Sequence, residues 1–252
     1  MDPLKFTTIA HGGMSVCNPL GDEVLDDALA ILAQWLPPGR ARLLDIGCGK
    51  AELLLRLVER HDVAATGVDI NAAFLAEAAA KARSRGCALE LHESRFADFL
   101  AGRAPGSPPF DALLCLGASQ AVGPARATPT RLAPLLAPGG LLLLGEGFWA
   151  REPDDRYLAA LGAARDDLTD HAGNQELGAE AGLTCVHAVA TSDEDFARYE
   201  ERYAATVQAH LAAHPEDPDG PEMAARLAGW REAYEAWGRE TLGFGLYLYV
   251  AP

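Results

Sequence analysis

The chain has 252 residues, enough for one α/β domain with additions, and its 49% hydrophobic and 23% charged residues are ordinary for a globular protein. Its 21 Lys and Arg against 36 Asp and Glu give a net charge of −15, which repels phosphate groups and argues against nucleic acid or an anionic membrane as a partner. No apolar stretch approaches the roughly 20 residues of a membrane span, and the first residues lack the pattern of a secretory signal. The five scattered cysteines and the absence of a metal-ligand spacing predict a cytoplasmic protein with reduced thiols and no metal.

The segment ahead of the first predicted strand is helical in its second half. Residues 1–21 are polar and contain glycines, whereas residues 22–35 carry apolar side chains at helical spacing and are followed by Pro37-Pro38-Gly39. We therefore expect residues 1–36 to form an N-terminal helical segment outside the main sheet.

A glycine turn between a strand and a helix is the central pattern of the sequence. Residues 41–46 are a short apolar run typical of a buried strand, and Gly47 and Gly49 let the backbone turn sharply and approach a ligand. Leucines at helical spacing follow from Glu52 onward. Strand, glycine turn and helix N-terminus together predict a nucleotide-binding βα unit.

The differences between this turn and the dinucleotide-binding fingerprint indicate which nucleotide it binds. A dinucleotide fingerprint needs a third glycine at position 52, where this chain has Glu52, and Asp45 suits a ligand with a cationic end. The stretch Asp45-Ile46-Gly47-Cys48-Gly49 resembles the first motif of class I S-adenosylmethionine (SAM) methyltransferases, D/E-x-G-x-G-x-G, with Ala51 in place of the third glycine. A tight turn that binds no ligand is the alternative.

The second predicted strand, residues 63–69, ends in an acid. An acid in this position accepts hydrogen bonds from ribose hydroxyls in nicotinamide enzymes and in methyltransferases alike, so Asp69 predicts an adenosine ligand. Ile70 and Asn71 follow and are expected to edge the adenine. Asn71 is equally suited to cap the helix predicted over residues 72–85.

The third predicted strand, residues 88–92, departs from the family that the first motif resembles. That family commonly has an acid just after this strand to meet the adenine amino group, whereas this chain has Arg95 in that register. The resemblance therefore leaves Ser94 or the Phe96 backbone for the adenine contact.

The fourth strand is predicted to start at Phe110-Asp111, as in the resembling family, and its carboxyl end should lie beside the reactive methyl group. That places Leu116 and Gly117 at the cofactor and Ser119 at the substrate. The sequence here is not N/D-P-P-Y/F, which argues against methylation of protein glutamine or of a nucleobase. A helix over residues 132–136, a P-G-G turn and a fifth strand over residues 141–144 follow, with Glu146 and Trp149 expected at the mouth of the site. Trp149 is expected either to wall the pocket and hold a cationic or aromatic substrate, or to pack under the next helix.

The last third of the chain predicts a sixth strand, two helices and a final strand. Residues 192–213 and 221–239 carry aromatic side chains at helical spacing and are separated by a turn, so they form a helical hairpin ahead of the strand at residues 242–250. Most of these rings should pack against the domain, but Tyr199 and Tyr203 are candidates for lining the substrate pocket.

The resemblance implies a Rossmann-like α/β fold with a seven-stranded sheet of order 3-2-1-4-5-7-6, helices on both faces and a helical-hairpin cap. We divide the chain into an N-terminal lid (1–36), a SAM-binding core (37–191), the cap (192–240) and the final core strand (241–252). The alternative for the N-terminal segment is a surface extension that only covers the sheet edge. The implied reaction is in-line transfer of a methyl group from SAM to a small-molecule acceptor, with S-adenosylhomocysteine (SAH) as the product. The predicted cofactor residues are Asp45, Gly47, Cys48, Gly49, Asp69, Ile70, Asn71, Ser94, Arg95, Phe96, Leu116 and Gly117.

Several questions stay open at the level of sequence. His11, Glu146 and His171 are candidate general bases, and a base is needed only if the acceptor is protonated. An NAD(P)-dependent reductase shares Asp69 but lacks the third glycine and a Tyr-x-x-x-Lys pair. A catalytically silent SAM-binding protein shares every cofactor feature. The acceptor atom and the oligomeric state, monomer or homodimer, are not specified by the sequence.

Overall fold

The computed structural model describes all 252 residues and contains one seven-stranded sheet of order β3-β2-β1-β4-β5-β7-β6. The strands are Ala41–Ile46 (β1), Val63–Asp69 (β2), Glu90–Glu93 (β3), Phe110–Leu116 (β4), Leu136–Trp149 (β5), Thr184–Ala190 (β6) and Leu242–Val250 (β7). The first five strands pair in parallel, and β7 is antiparallel to both of its neighbours. This confirms the predicted fold class and strand order.

Helices cover both faces of the sheet and also form a layer above its carboxyl edge. They are Pro3–Ala10 (α1), Asp22–Trp35 (α2), Glu52–Arg60 (α3), Ala72–Arg85 (α4), Phe96–Gly102 (α5), Thr128–Leu132 (α6), Asp155–Leu161 (α7), His171–Glu176 (α8), Asp193–Ala213 (α9), Gly220–Ala233 (α10) and Arg239–Thr241 (α11). A π-helical turn, Tyr234–Gly238, joins α10 to α11. None of the helices combines the length and the hydropathy needed to cross a bilayer.

The central strands are apolar on both faces because each face is covered by helices. Leu141 and Leu143 of β5 pack into a core shared with α2 and α3. Leu142 and Leu144 point the other way, into a second core that contains Tyr247 and Tyr249 of β7. The consecutive leucines of β5 therefore anchor both layers, and the two cores hold the sheet rigid beneath its carboxyl edge.

The strand order fixes where a ligand can bind. The chain runs outward from β1 toward β3 on one side and from β4 toward β6 on the other, so β1 and β4 are neighbours at the switch point. Loops that leave adjacent strands in opposite directions open a crevice at their carboxyl ends. The glycine turn after β1 and Gly117 after β4 both lie at this crevice.

Some element boundaries differ from those predicted. The helix expected at residues 132–136 lies earlier, at Thr128–Leu132, because Pro129 starts it, and β5 extends from Leu136 to Trp149. The third strand begins at Glu90 rather than at residue 88.

Helix α1 was not predicted, and it packs against the helical hairpin formed by α9 and α10. It begins after Asp2, which accepts from the Leu4 N–H, and has Pro3 in its first turn. Phe6 and Ala10 of α1 share a small hydrophobic core with side chains of the hairpin, which are Ala204, Val207, Met223 and Leu227. The N-terminal helix and the hairpin thus form one packed layer over the sheet edge.

Candidate functional site

The glycine turn is held between β2 and β4. Gly47 and Gly49 have φ angles of 68° and 52°, in the left-handed region that favours glycine. The N–H groups of Gly47 and Cys48 donate to the Val68 carbonyl at 2.8 and 3.1 Å. A Cβ on Gly47 would overlap the side chain of Ala118, so no other residue fits this turn without displacing the loop after β4.

Asp69 at the end of β2 organises the turn as well as facing the crevice. One of its carboxylate oxygens accepts from the Gly49 N–H at 2.7 Å, and the other accepts from the Asn71 N–H at 2.8 Å. The Asn71 side chain caps α4 by accepting from the Ala73 and Phe74 N–H groups, and it donates to the Thr8 hydroxyl of α1 at 2.8 Å. Asn71 therefore both caps a helix and connects the core to the N-terminal helix.

Asp45 is buried at the end of β1, with 3% of its surface exposed. Its carboxyl group takes part in none of the side-chain hydrogen bonds or ion pairs within the chain, although it lines the crevice. Burial raises the pKa of Asp45 to about 8, and the nearby charge of Asp69 adds to the shift. A buried acid without a partner is costly unless a cationic group compensates its charge, so this position favours a positively charged ligand.

The crevice is a cavity of about 470 Å³ at the carboxyl ends of β1, β2 and β4. Its size falls in the range of small-molecule and cofactor sites, roughly 300–1,000 Å³. Every residue that the sequence predicts for the cofactor lines it: Asp45, Gly47, Cys48, Gly49, Asp69, Ile70, Asn71, Ser94, Arg95, Phe96, Leu116 and Gly117. The structure thus brings together a set that is scattered over more than 70 positions of the sequence.

The N-terminal segment forms the opposite wall of this cavity. It contributes Leu4, Thr7, His11, Ser15, Val16, Cys17 and Asn18. The Asn18 amide donates to the Leu116 carbonyl at 3.3 Å, and a Cβ on Gly117 would overlap the Asn18 side chain. Lys50, which is 2% exposed, donates to the His11 carbonyl and pairs with Glu77, both at 2.9 Å. The roles of Asn18 and Lys50 were missed because no local pattern reports a contact across the fold.

His11 is buried against the cavity and hydrogen-bonded at both ring nitrogens. Its Nδ1 lies 2.8 Å from the Thr7 carbonyl and its Nε2 lies 2.9 Å from the Tyr199 hydroxyl. Because a carbonyl only accepts, Nδ1 carries the proton and Nε2 of the neutral ring accepts from Tyr199. Burial lowers the pKa of His11, the Lys50 charge lowers it further, and the Thr7 hydrogen bond opposes both. His11 is therefore neutral near pH 7, and its acceptor nitrogen is engaged by Tyr199.

The predicted substrate residues on the cap lie behind the cavity wall. Tyr199 and Tyr203 do not line the cavity; their rings pack against His11, with centroids 6.0 and 5.4 Å from it. Of the two roles expected for Trp149, the structure shows the packed one, because its ring packs against Tyr157 and its indole N–H donates to the Arg165 carbonyl at 2.9 Å. It stabilises the base of the cap and forms no wall of the cavity.

Glu146, Ser119 and His171 do not line this cavity, so the roles expected for them in catalysis and substrate binding stay predictions. Glu146 is 8% exposed; one oxygen accepts from the Gly147 N–H and the other is buried without a partner. Burial raises the pKa of Glu146, and the hydrogen bond from the Gly147 N–H opposes this shift. His171 is bonded through Nδ1 to the Tyr247 hydroxyl at 2.9 Å. Neither Glu146 nor His171 faces the cavity in this conformation.

Comparisons with known proteins agree with this geometry. A family model described as a methyltransferase domain matches residues 44–142. The uncharacterized protein YjhP of Escherichia coli is 28% identical over 256 residues, with 100% of both chains covered. A SAM-dependent methyltransferase from Thiobacillus denitrificans, solved with SAH, has a TM-score of 0.86 at 29% identity, with 100% of both chains covered. One from Geobacter sulfurreducens, also solved with SAH, has a TM-score of 0.86 at 25% identity, with 98% of both chains covered.

The sheet itself separates the two nucleotide-binding classes that the sequence left open. Dinucleotide-binding sheets of the doubly wound type have the order 3-2-1-4-5-6, whereas this sheet inserts the antiparallel strand β7 between β5 and β6. The reductase alternative is therefore not favoured. The glycine motif and the strand order are those of class I SAM-dependent methyltransferases, residues 44–142 match a methyltransferase domain, and the whole chain is similar to solved SAM-dependent methyltransferases.

Proposed function

We propose that this enzyme transfers the methyl group of SAM to a small-molecule acceptor and releases SAH. The observation that carries the assignment of the site is Asp45, a buried carboxyl that has no partner in the chain and lines the cavity beside the glycine turn. A cationic ligand would satisfy this acid, whereas the phosphates of a dinucleotide would be repelled by it.

The residues of the cavity fit the parts of SAM by their chemistry. Gly47 and Gly49 leave room for close approach of the ligand to the backbone. Each carboxylate oxygen of Asp69 accepts one backbone N–H group and has a second lone pair, which can accept a hydrogen bond from a ribose hydroxyl. Ile70, which is 51% exposed, offers an apolar surface to the adenine. Ser94, Arg95 and Phe96 are proposed for the adenine edge.

When bound, SAM supplies an electron-poor methyl group that a nucleophile attacks in line. The protein's task is then to hold the acceptor atom about 3 Å from that carbon and to exclude water. Helix α1 and residues 15–18 close the cavity on the side opposite the sheet, which supports the proposed lid role. His11 is the proposed base for a protonated acceptor, and it can take a proton at Nε2 only when that atom is released from Tyr199.

We propose that the acceptor is a small molecule and that the enzyme acts in the cytoplasm. The lid encloses the cavity on the side that a macromolecular acceptor would have to approach, and the net charge of −15 repels nucleic acid. All five cysteines are free, which supports a reducing compartment.

Calorimetric titration of the protein with SAM, SAH, NADH and NADPH tests this assignment. We expect micromolar binding of SAM and SAH and none of the nicotinamide nucleotides. Asp69→Asn keeps an acceptor for the Gly49 N–H but removes the charge toward the ribose, so we expect affinity for SAH to fall about tenfold. Asp62→Asn, at an exposed position just before β2, is the matched control and should bind as the wild type does.

The result that would overturn the proposal is binding of NADH or NADPH, or binding of none of the four ligands. Turnover separates an enzyme from a protein that binds SAM without catalysis. Release of SAH in the presence of a pool of candidate small molecules would establish methyl transfer, whereas binding without any turnover would favour the silent alternative.

A further inference from the structure

Two charged side chains are buried on either side of the glycine turn. Asp45 precedes the turn and is 3% exposed, and Lys50 follows it and is 2% exposed. Both line the cavity, yet Lys50 pairs with Glu77 rather than with Asp45. A buried acid and a buried ammonium group that line one cavity suit a ligand that carries a cation and an anion close together.

The Lys50 ammonium group lies where the lid meets the core. It donates to the His11 carbonyl at the end of α1 and pairs with the Glu77 carboxylate of α4, both at 2.9 Å. Its Nζ lies 5.6 Å from the centroid of the Phe74 ring, and both His11 and Phe74 line the cavity. An ammonium group has three N–H donors, and the chain uses two of them. The third is therefore left for an acceptor in the cavity.

An anionic group is stable in this cavity only beside a cation. Asp45, Glu52 and Asp69 line it, and the whole chain carries a net charge of −15. The cationic side chains that line it are Lys50 and Arg95. A carboxylate on the ligand therefore needs one of these two residues.

The positions of the two cations relative to the sheet select Lys50. Arg95 follows β3, and the neighbouring Ser94 N–H donates to the Asp69 carbonyl at 3.0 Å, so Arg95 lies beyond β2 as seen from β1. Lys50 lies on the other side, directly after the glycine turn of β1. In SAM the ribose separates the adenine from an amino acid whose ammonium and carboxylate share one carbon. With the ribose at Asp69 and the cation at Asp45, the carboxylate lies on the side of β1.

We infer that the third N–H group of Lys50 binds the carboxylate of SAM and SAH, and that this contact holds the lid closed. The inference rests on the proposed methyltransferase function and adds a residue that links the cofactor to α1. One ammonium group then joins the cofactor carboxylate, the His11 carbonyl and Glu77. A bound carboxylate fixes Lys50 in the orientation that bonds His11, so it favours the closed lid over the open one.

A pair of ligands that differ only in the carboxylate tests the inference. In decarboxylated SAH a hydrogen replaces this group, while the adenosine, the sulfur and the amine are kept. We expect calorimetry to show at least about tenfold weaker binding than for SAH, because a charge-assisted hydrogen bond is lost. General attraction to the acidic chain has the opposite sign, since decarboxylated SAH is the more cationic ligand.

Hydrogen-exchange mass spectrometry of the same two complexes reports on the lid. We expect saturating SAH to slow amide exchange in α1, and saturating decarboxylated SAH to leave α1 exchange as it is in the free protein. Both measurements use the wild-type protein, so neither depends on the folding of a variant.

Lys50→Met and Lys81→Met locate the contact. In Lys50→Met the ammonium group is absent, so SAH and its decarboxylated form should bind with affinities equal to within about twofold. Lys81→Met is the matched control, because Lys81 pairs with the same Glu77 at 3.1 Å but does not line the cavity. It should keep the wild-type preference for the carboxylate. A general loss of affinity cancels in each comparison of the two ligands.

The outcomes separate this inference from the function on which it rests. Failure of the wild type to bind SAH would overturn the proposed function itself. If the wild type binds both ligands equally well, or if Lys50→Met keeps the full preference for SAH, Lys50 does not bind the carboxylate and only this inference is wrong. Equal protection of α1 by the two ligands would show that the lid closes without the carboxylate, which contradicts the proposed link.

Discussion

The contribution of Asp45 to the free energy of unfolding depends on pH, and its burial determines the direction of that dependence. Burial raises the pKa of this acid from its ordinary value near 3.8 to about 8. The folded protein therefore binds a proton that the unfolded chain has released between about pH 4 and pH 8. Stability from this group is fully present below the lower value and is lost as the pH rises through about 8. A cationic ligand reverses this penalty by favouring the charged form.

Asp45→Asn should accordingly affect the free protein and ligand binding in opposite ways. We expect its melting temperature, relative to that of the wild type, to rise steadily between pH 6 and pH 8 and to level off above about pH 8, because in that window the unfolded wild-type chain is ionised at this position while the folded chain holds the proton. SAM affinity should fall at both values. Scanning calorimetry from pH 6 to pH 9 measures the difference, with Asp62→Asn as the exposed control. A difference in melting temperature that does not change with pH would contradict the assigned pKa.

Ala51 tests how much the missing third glycine of the motif matters. It is fully buried and is the only non-glycine residue with a positive φ, 55°. In Ala51→Gly, relief of the left-handed strain, about 1–2 kcal/mol, is offset by loss of a buried methyl group, about 0.8 kcal/mol, and by a more flexible unfolded chain, about 0.4–1 kcal/mol. We expect the free energy of unfolding in urea to change by less than ~1 kcal/mol.

Ala51→Val should behave differently at the same position. A β-branched residue is a true outlier in the left-handed region, and the extra methyl groups have no space in a filled core, so we expect a loss of at least ~2 kcal/mol. Ala76→Val, on the exposed face of α4, is the control and should cost only the difference in helix propensity, under ~1 kcal/mol. Equal losses for the two valine variants would show that the turn adapts to a side chain.

At the scale of secondary-structure elements, the sequence predicted the features that short-range patterns encode. The strands around the glycine turn were found because apolar runs, glycines and terminal acids are short-range signals, and Asp45 and Asp69 followed from them. Helix α1 was missed because only Phe6 and Ala10 of its eight residues are buried, too few for a periodic stripe. A helix this short depends on tertiary packing. Lys50 and Asn18 were missed for a related reason, since their partners lie 39 and 98 positions away.

The connection from Lys50 to α1 predicts a coupling between the glycine turn and the lid. In Lys50→Met, the hydrogen bond to the His11 carbonyl is lost, while Glu77 keeps its pairing with Lys81 at 3.1 Å. We expect faster amide hydrogen exchange in α1 and about tenfold weaker SAH binding, because the closed lid becomes a minor state. Hydrogen-exchange mass spectrometry of the N-terminal peptide measures the first effect, and calorimetry measures the second.

Lys81→Met is the matched control for this prediction. Lys81 binds the same Glu77 carboxylate but does not contact the lid, so this variant should leave both α1 exchange and SAH affinity unchanged. If both variants accelerate exchange in α1 equally, the effect comes from Glu77, and Lys50 does not fasten the lid.

At the scale of the whole molecule, the lid is attached to two parts of the fold. Its lower side is fastened to the core through Lys50, Asn71 and the Leu116 carbonyl. Its upper side packs into the hydrophobic core of the hairpin through Phe6. The hairpin therefore contributes to the cofactor cavity indirectly, by holding α1 in place, although its own aromatic residues stand behind the wall. The helical hairpin inserted before β7 thus helps to form the cavity at the carboxyl end of β1.

Phe6→Ala should separate lid closure from the stability of the sheet. Phe6 is 1% exposed, packs edge-on against Tyr203 with centroids 6.1 Å apart, and has the Arg226 guanidinium 4.3 Å from its ring centroid. Its removal from this core costs the closed state roughly 3–5 kcal/mol. Because α1 can detach while the sheet stays folded, we expect lost protection of α1 amides, retained protection of β1 and β4, and SAH binding weakened tenfold or more.

Phe110→Ala supplies the contrast that makes this result interpretable. Phe110 is equally buried and also has arginine guanidinium groups over its ring, but it lies at the start of β4, at the end of the sheet opposite the cavity. Its loss should lower the free energy of unfolding by a similar ~3–5 kcal/mol while SAH affinity stays at the wild-type value. If Phe6→Ala instead binds SAH as the wild type does, α1 closes the cavity without the hairpin. The inserted helices would then act on the acceptor alone.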